Sequence, residues 1–211
     1  MKTMKMINQF RILPLLAILL TASLVVSCSS DDDTDAPEEE EEVEVITNVT
    51  LVFTNTADAT DTVMASAIDP DGEGAQELQI INPIELAVGT EYTLTYLILN
   101  ALDPADTEDI GEEILEEDNE HQFFYSFSNG AFASPTGNGN IDSASDPLNY
   151  NDQDENGNPV GLSTSWTTSD APLAGGTFTA RLQHQPDLKS ATTGANDGDT
   201  DFDLTFTLNI Q

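Results

Sequence analysis

His121 and His184 are the only imidazoles in a chain of 211 residues. Each falls in phase with an apolar strand face. His121 opens the alternation His121, Phe123, Tyr125, Phe127, and His184 closes the alternation Phe178, Ala180, Leu182, His184. If the two segments are antiparallel neighbours, both rings arrive at one end of a sheet. Neutral imidazole is a good ligand for zinc, copper and iron, and Glu117, Asp118 and Glu120 stand close enough along the chain to add a carboxylate. His121, His184 and Glu120 are therefore candidate ligands of a divalent metal. The competing reading makes each histidine a strand-end residue satisfied by a backbone carbonyl or a carboxylate. Arg181 and Lys189 flank His184, so the region also suits a small anionic pocket, or ion pairs to the acidic segment before His121.

A second set of oxygen ligands lies in Asp152-Gln153-Asp154-Glu155-Asn156-Gly157. Asp152, Asp154 and Asn156 occupy the first, third and fifth positions of a calcium loop, and Gly157 the sixth. The twelfth, where such loops place a bidentate glutamate, is Ser163. The same residue types also make ordinary turns. Asp69 to Gly72 and Asp197 to Asp203 are further acidic turns of this kind. Signatures of catalysis are missing: the chain has no GxSxG elbow, no HExxH pair and no phosphate-cradling glycine loop. The expectation is a binding or structural protein and not an enzyme.

The elements that must carry these residues alternate with a period of two, as half-buried strands do. Val49, Leu51 and Phe53 share one face; so do Tyr92, Leu94, Tyr96 and Ile98; Leu162, Thr164 and Trp166; and Phe202, Leu204, Phe206, Leu208 and Ile210. Weaker strands are predicted over 63–68 and 78–81. Separated by loops rich in Gly, Asn, Asp and Pro, they predict an all-β fold for residues 45–211, an antiparallel immunoglobulin-like sandwich. One short acidic helix is predicted within 103–119, capped by Asp103, with Pro104 at its first position and Ile110 and Ile114 on one face. The long segment 128–160 has almost no periodicity and reads as a functional or disordered loop.

The N-terminus has its own logic. Lys2, Lys5 and Arg11 precede an apolar run from Ile12 to Val26, the pattern of a secretory signal. The run is shorter than the roughly 20 residues a spanning helix needs. Val25-Val26-Ser27-Cys28 resembles the lipobox of bacterial lipoproteins, which implies cleavage after residue 27 and lipidation of Cys28, the only cysteine. Several acyl chains on one sulfur make a stable anchor, because each buried methylene contributes about 0.8 kcal/mol. The acidic stretch 28–44 is expected to be a disordered arm, and its Ser29-Ser30-Asp31-Asp32-Asp33 resembles the export signal that sends lipoproteins of Bacteroidetes-type bacteria to the outer face of the outer membrane. Without residues 1–27, two cations, Arg181 and Lys189, stand against 39 acids, a net charge of −37. Nucleic acid is excluded as a partner, since binding it needs cationic groups to displace counterions from phosphates. Cations are attracted instead.

The order of acidic arm, Val45-Ile46-Thr47-Asn48-Val49-Thr50-Leu51, Glu120-His121-Gln122-Phe123-Phe124, Asn158-Pro159-Val160-Gly161-Leu162 and Arg181-Leu182-Gln183-His184-Gln185-Pro186 resembles a family of flavobacterial surface lipoproteins. That resemblance implies an outer-membrane, lipid-anchored location and no particular activity. Labels attached to the family, a type 1 periplasmic binding fold and a GTP cyclohydrolase, do not suit this chain. The first needs alternating strands and helices over a longer sequence, and the second needs thiol and histidine ligands. The expected partners are the membrane, a metal or small ligand, and a nutrient transporter.

Overall fold

A computed structural model describes residues 44–72 and 77–211. Cys28, its lipobox and most of the acidic arm lie outside the described residues. In chain order the elements are β1 (Asn48–Asn55), β2 (Thr62–Ile68), β3 (Gln79–Ile80), β4 (Ile84–Leu86), β5 (Glu91–Asn100), β6 (Glu108–Asp109), α1 (Ile110–Glu116), β7 (His121–Phe127), β8 (Phe132–Ser134), β9 (Ser163–Thr168), β10 (Leu173–His184) and β11 (Asp199–Ile210). One sheet runs β3-β2-β1-β5-β9-β8, with β6 paired to the end of β5. The other runs β4-β11-β10-β7. The expected all-β sandwich is what forms. Its one departure from antiparallel pairing is β4, which runs parallel to β11 with Ile84 opposite Leu208.

Alternation decides which side chains meet between the sheets. Val49, Leu51 and Phe53 are fully buried from β1, and Phe178, Ala180 and Leu182 come in from β10. Trp166 of β9 sits at the centre, edge-on to Phe178 and Tyr125 with ring centroids 5.1 and 5.3 Å away. Each such aromatic contributes about 1.5–3 kcal/mol through burial. Their polar atoms are not stranded. The Trp166 indole donates to Thr164 Oγ1 at 2.7 Å, and the Tyr125 hydroxyl donates to Gly161 O at 2.9 Å.

The helix is shorter than expected and starts later. Glu108 and Asp109 first pair with Asn100 and Leu99, so helical geometry begins only at Ile110. Asp109, not Asp103, is the cap, accepting from Gly111 N at 3.0 Å. Asp103 instead closes a turn, its carboxylate taking the Ala105 N–H. Ile110 and Ile114 are buried as predicted and seat the helix on the core.

The segment 128–160 is not a free loop. It supplies β8 and then seals the open edge of β7: Asn140 Oδ1 accepts from Tyr125 N at 2.9 Å, and the Tyr150 hydroxyl donates to Phe123 O at 2.6 Å. An edge strand so covered has no free ladder to offer a second chain.

Candidate metal centre

His121 and His184 are a register pair on the antiparallel neighbours β7 and β10. Cross-strand partners have Cβ atoms about 4.5–5.5 Å apart, and here the rings stack, with centroids 4.5 Å apart and planes 5° from parallel. Both rings thus reach one end of the sandwich, beside the C-terminal end of α1.

Carboxylates surround the pair. Glu44 Oε1 lies 3.0 Å from His121 Nε2, and Asp201 Oδ2 lies 3.9 Å from the same nitrogen. Glu117 places Oε2 4.0 Å from His121 Nδ1, while its backbone carbonyl is 3.3 Å from that nitrogen. Glu120 Oε2 stands 3.4 Å from His184 Nε2. Although Glu44 is close, its contact with His121 Nε2 is not a hydrogen bond. The Nε2 atoms of both histidines and Asp201 Oδ2 are buried without any hydrogen bond. Buried polar atoms are normally paired, so three orphans in one cluster need an explanation.

Asp201 owes its position to a β-bulge. Strict alternation would turn it away from the core, because Phe202 and Leu204 point inward. The β10–β11 register slips here, with Leu182 opposite Phe202 but Gln183 opposite Thr200, so Asp201 is the extra residue. Such a bulge re-aims a side chain, here toward the imidazoles.

The hairpin end that carries His184 depends on Gly198. Its φ is +82°, and a Cβ at this position would lie 2.1 Å from His184 O. Backbone cannot give way there without moving the histidine. Gly198→Ala is expected to lower unfolding free energy by at least about 2 kcal/mol, from left-handed strain plus the clash. Urea denaturation checks this, and an unchanged midpoint would refute the tight approach.

Electrostatics are coupled across the cluster. Burial alone would lower the His121 pKa, but Glu44 and then Asp201 reverse this and raise it. Burial raises Glu44, yet its contact with the imidazole leaves it lowered. The Asp201 carboxyl is pushed up to about 7, by burial first and the charge of Glu44 second.

Glu44, Glu117, His121 and His184 each offer one ligand atom, all within 4.8 Å of one another. Tetrahedral zinc ligands at about 2.0–2.2 Å stand roughly 3.3–3.6 Å apart, so this set must contract by about 1 Å. Lone pairs lie in the ring planes, and parallel stacked planes do not converge, so one imidazole must also turn about its χ2. Nitrogen donors mixed with carboxylates suit zinc, copper or iron better than calcium or magnesium.

The sequence therefore locates both histidines and the acidic neighbourhood, but its ligand set changes. Glu120 pairs with His184 and stays outside the converging group, whereas Glu117 is inside it. Glu44 belongs to the domain, correcting its assignment to the arm. The calcium reading of Asp152, Asp154 and Asn156 is also corrected. Asp152 spends its two oxygens on Gly161 N and Ser163 N, at 2.8 and 2.9 Å. Asp154 Oδ1 takes the N–H groups of Asn156 and Asn158, and Oδ2 faces Lys189 Nζ at 3.4 Å. Asn156 is exposed and contributes only its backbone. The carboxylates are occupied by their own loop and by an ammonium, so they form no cage. Arg181 and Lys189 do find acids, but these are Asp203 and Asp154 and not the helix. Comparison with protein-family models, with curated proteins and with solved structures finds no match.

Proposed function

We propose that this chain is a lipid-anchored protein of the bacterial outer surface whose β-sandwich binds a divalent transition-metal ion, zinc, copper or iron. His121, His184, Glu44 and Glu117 are its ligands, and Asp201 is a supporting carboxylate. The observation that carries the metal reading is the stacked histidine pair whose buried Nε2 atoms lack hydrogen bonds among close carboxylates. The lipobox-like residues before Cys28 and the acids after it support the location, and a surface metal binder would deliver its ion to an adjacent transporter.

The test is metal analysis of the full chain purified in detergent, beside His121→Ala and His184→Ala. One bound ion per chain, lost in both variants, is expected; stoichiometric metal in both would refute the site. The location has a separate test. Mass spectrometry of the processed N-terminus should find Cys28 carrying acyl chains, and protease added to intact cells should remove the domain. A bare thiol, or a domain that survives protease, would defeat the anchored reading and leave the metal site standing.

A further inference from the structure

The outer face of the larger sheet carries no charge. Every second residue of 48–54, 62–68, 93–99 and 163–165 turns away from the core, fourteen positions on the adjoining strands β1, β2, β5 and β9. Each is serine, threonine, asparagine or apolar. With 39 acids in 211 residues, a solvent-facing surface this large would ordinarily collect several. The outer face of the smaller sheet does so, bearing Glu85 and the Arg181–Asp203 pair. Within the neutral face Met64, Ile68 and Leu97 are 56, 36 and 45% exposed. Apolar side chains grouped in this way mark a contact surface. Glu91, opposite Thr167, ends the neutral rows on one side, and Asp109, opposite Leu99, ends them on the other.

We infer that this face is where two copies of the chain meet, each placing it against the same face of the other. The charge distribution selects the occupant. A cationic partner would dock on the acids and gains nothing from a face without them. A partner that is itself strongly acidic needs such a window, and a second copy, with the same formal net charge of −34, is that partner. A two-fold contact uses one patch twice, so a patch without sign does not repel itself. The hydroxyls of the face point the same way. Thr50 and Ser66 share a hydrogen bond at 2.9 Å, and Asn151 accepts from Ser165 Oγ at 2.9 Å and donates to Ser163 Oγ at 3.1 Å. Polar atoms already paired lose little when covered, and they leave few free partners for a sugar. Each position occupies about 4.8 by 6.8 Å, so the fourteen cover roughly 450 Å² and the pair hides about 900 Å². That is the size of a weak, reversible complex and not of an obligate dimer.

Sedimentation equilibrium of the full chain in density-matched detergent, with micelles in excess, tests the inference. Expected is a reversible monomer–dimer equilibrium that tightens several-fold as salt rises from about 0.05 to 0.5 M, because screening relieves the repulsion between two acidic bodies. Leu97→Glu and Met64→Glu each add a like charge to both sides of the contact and should weaken the dimer at least about tenfold. Val88→Glu, at another exposed position on the β4–β5 turn, should change nothing. Met64 gives a second readout that needs no substitution, since it is the only methionine beyond residue 6. Peroxide should oxidise its sulfur several-fold more slowly at concentrations where the dimer forms, and the polar sulfoxide should weaken the dimer. A monomer at every concentration and salt, a dimer indifferent to both glutamates, an equal loss in Val88→Glu, Met64 oxidation independent of concentration, or a monomer that captures a neutral polysaccharide on this face would each overturn it. The histidines lie outside the contact, so the result is independent of whether they bind an ion.

Discussion

Lys189→Ala is expected to destabilise the fold by about 3–5 kcal/mol, the range for breaking a buried ion pair by removing one partner. The side chains of Lys189 and Asp154 are both fully buried, with Nζ 3.4 Å from Oδ2. Lys189 Nζ also donates to the Asp118 backbone carbonyl in the turn between α1 and β7. One ammonium therefore ties the 152–158 turn, the helix exit and the chain after β10 together, next to the histidines. The two partners respond differently to the pairing. Burial lowers the Lys189 pKa more than Asp154 restores it. Asp154 is buried too, but the Asn158 donors, with Lys189 and Asn156 after them, leave its pKa lowered. The pair is thus costly to assemble and costlier to halve. Lys189→Met combined with Asp154→Asn should be more stable than either single variant, with a coupling above about 1 kcal/mol in a double-mutant cycle. Urea denaturation of the four proteins of the cycle and of Lys189→Ala decides; a Lys189→Ala protein within about 1 kcal/mol of the parent would show that water reaches the pair.

How much of this was legible in the sequence follows from range. The strands of the core could be read because burial on one face imposes a period of two locally, as in Val49, Leu51 and Phe53. β4 could not: its three residues, Ile84–Leu86, are held by a parallel partner more than a hundred residues away. The helix start was misplaced because Asp103-Pro104 is a sound local start signal that loses to a tertiary demand, the pairing of Asp109 with Leu99. At the site, phase alone brought His121 and His184 together. Glu44 was hidden by the acids before it, which make one carboxylate look like the next. Asp201 was hidden by the bulge, since no local pattern announces where a register slips.

Zinc is expected to raise the melting temperature of the full chain by about 5–10 °C at a hundredfold excess over its dissociation constant, and His121→Ala should abolish the shift. Saturation to that level contributes about 2.7 kcal/mol, and a chain of this size gains roughly 2–4 °C per kcal/mol. Removing a ligand should weaken zinc by more than the about 10–100-fold that loss of a supporting outer-shell group costs. His184→Ala belongs with His121→Ala, whereas Asp201→Asn should fall within that smaller range.

The pH dependence gives this prediction a sign. The raised His121 pKa contributes stability that is complete below the unfolded value of about 6.5 and is lost as pH rises through the folded one. Asp201 acts in the same direction: its folded carboxyl holds a proton up to about 7, while the unfolded chain releases it near 4, so stability falls across that window. The metal-free protein should therefore melt higher at pH 5.5 than at pH 8. Zinc needs the deprotonated ligands and should invert the order, stabilising strongly at pH 8 and little at pH 5.5. Calorimetric melts with and without zinc at both values read all four states. A metal-free profile that does not fall with pH would sink the coupled-cluster account, and a zinc shift that survives both histidine variants would place the ion elsewhere.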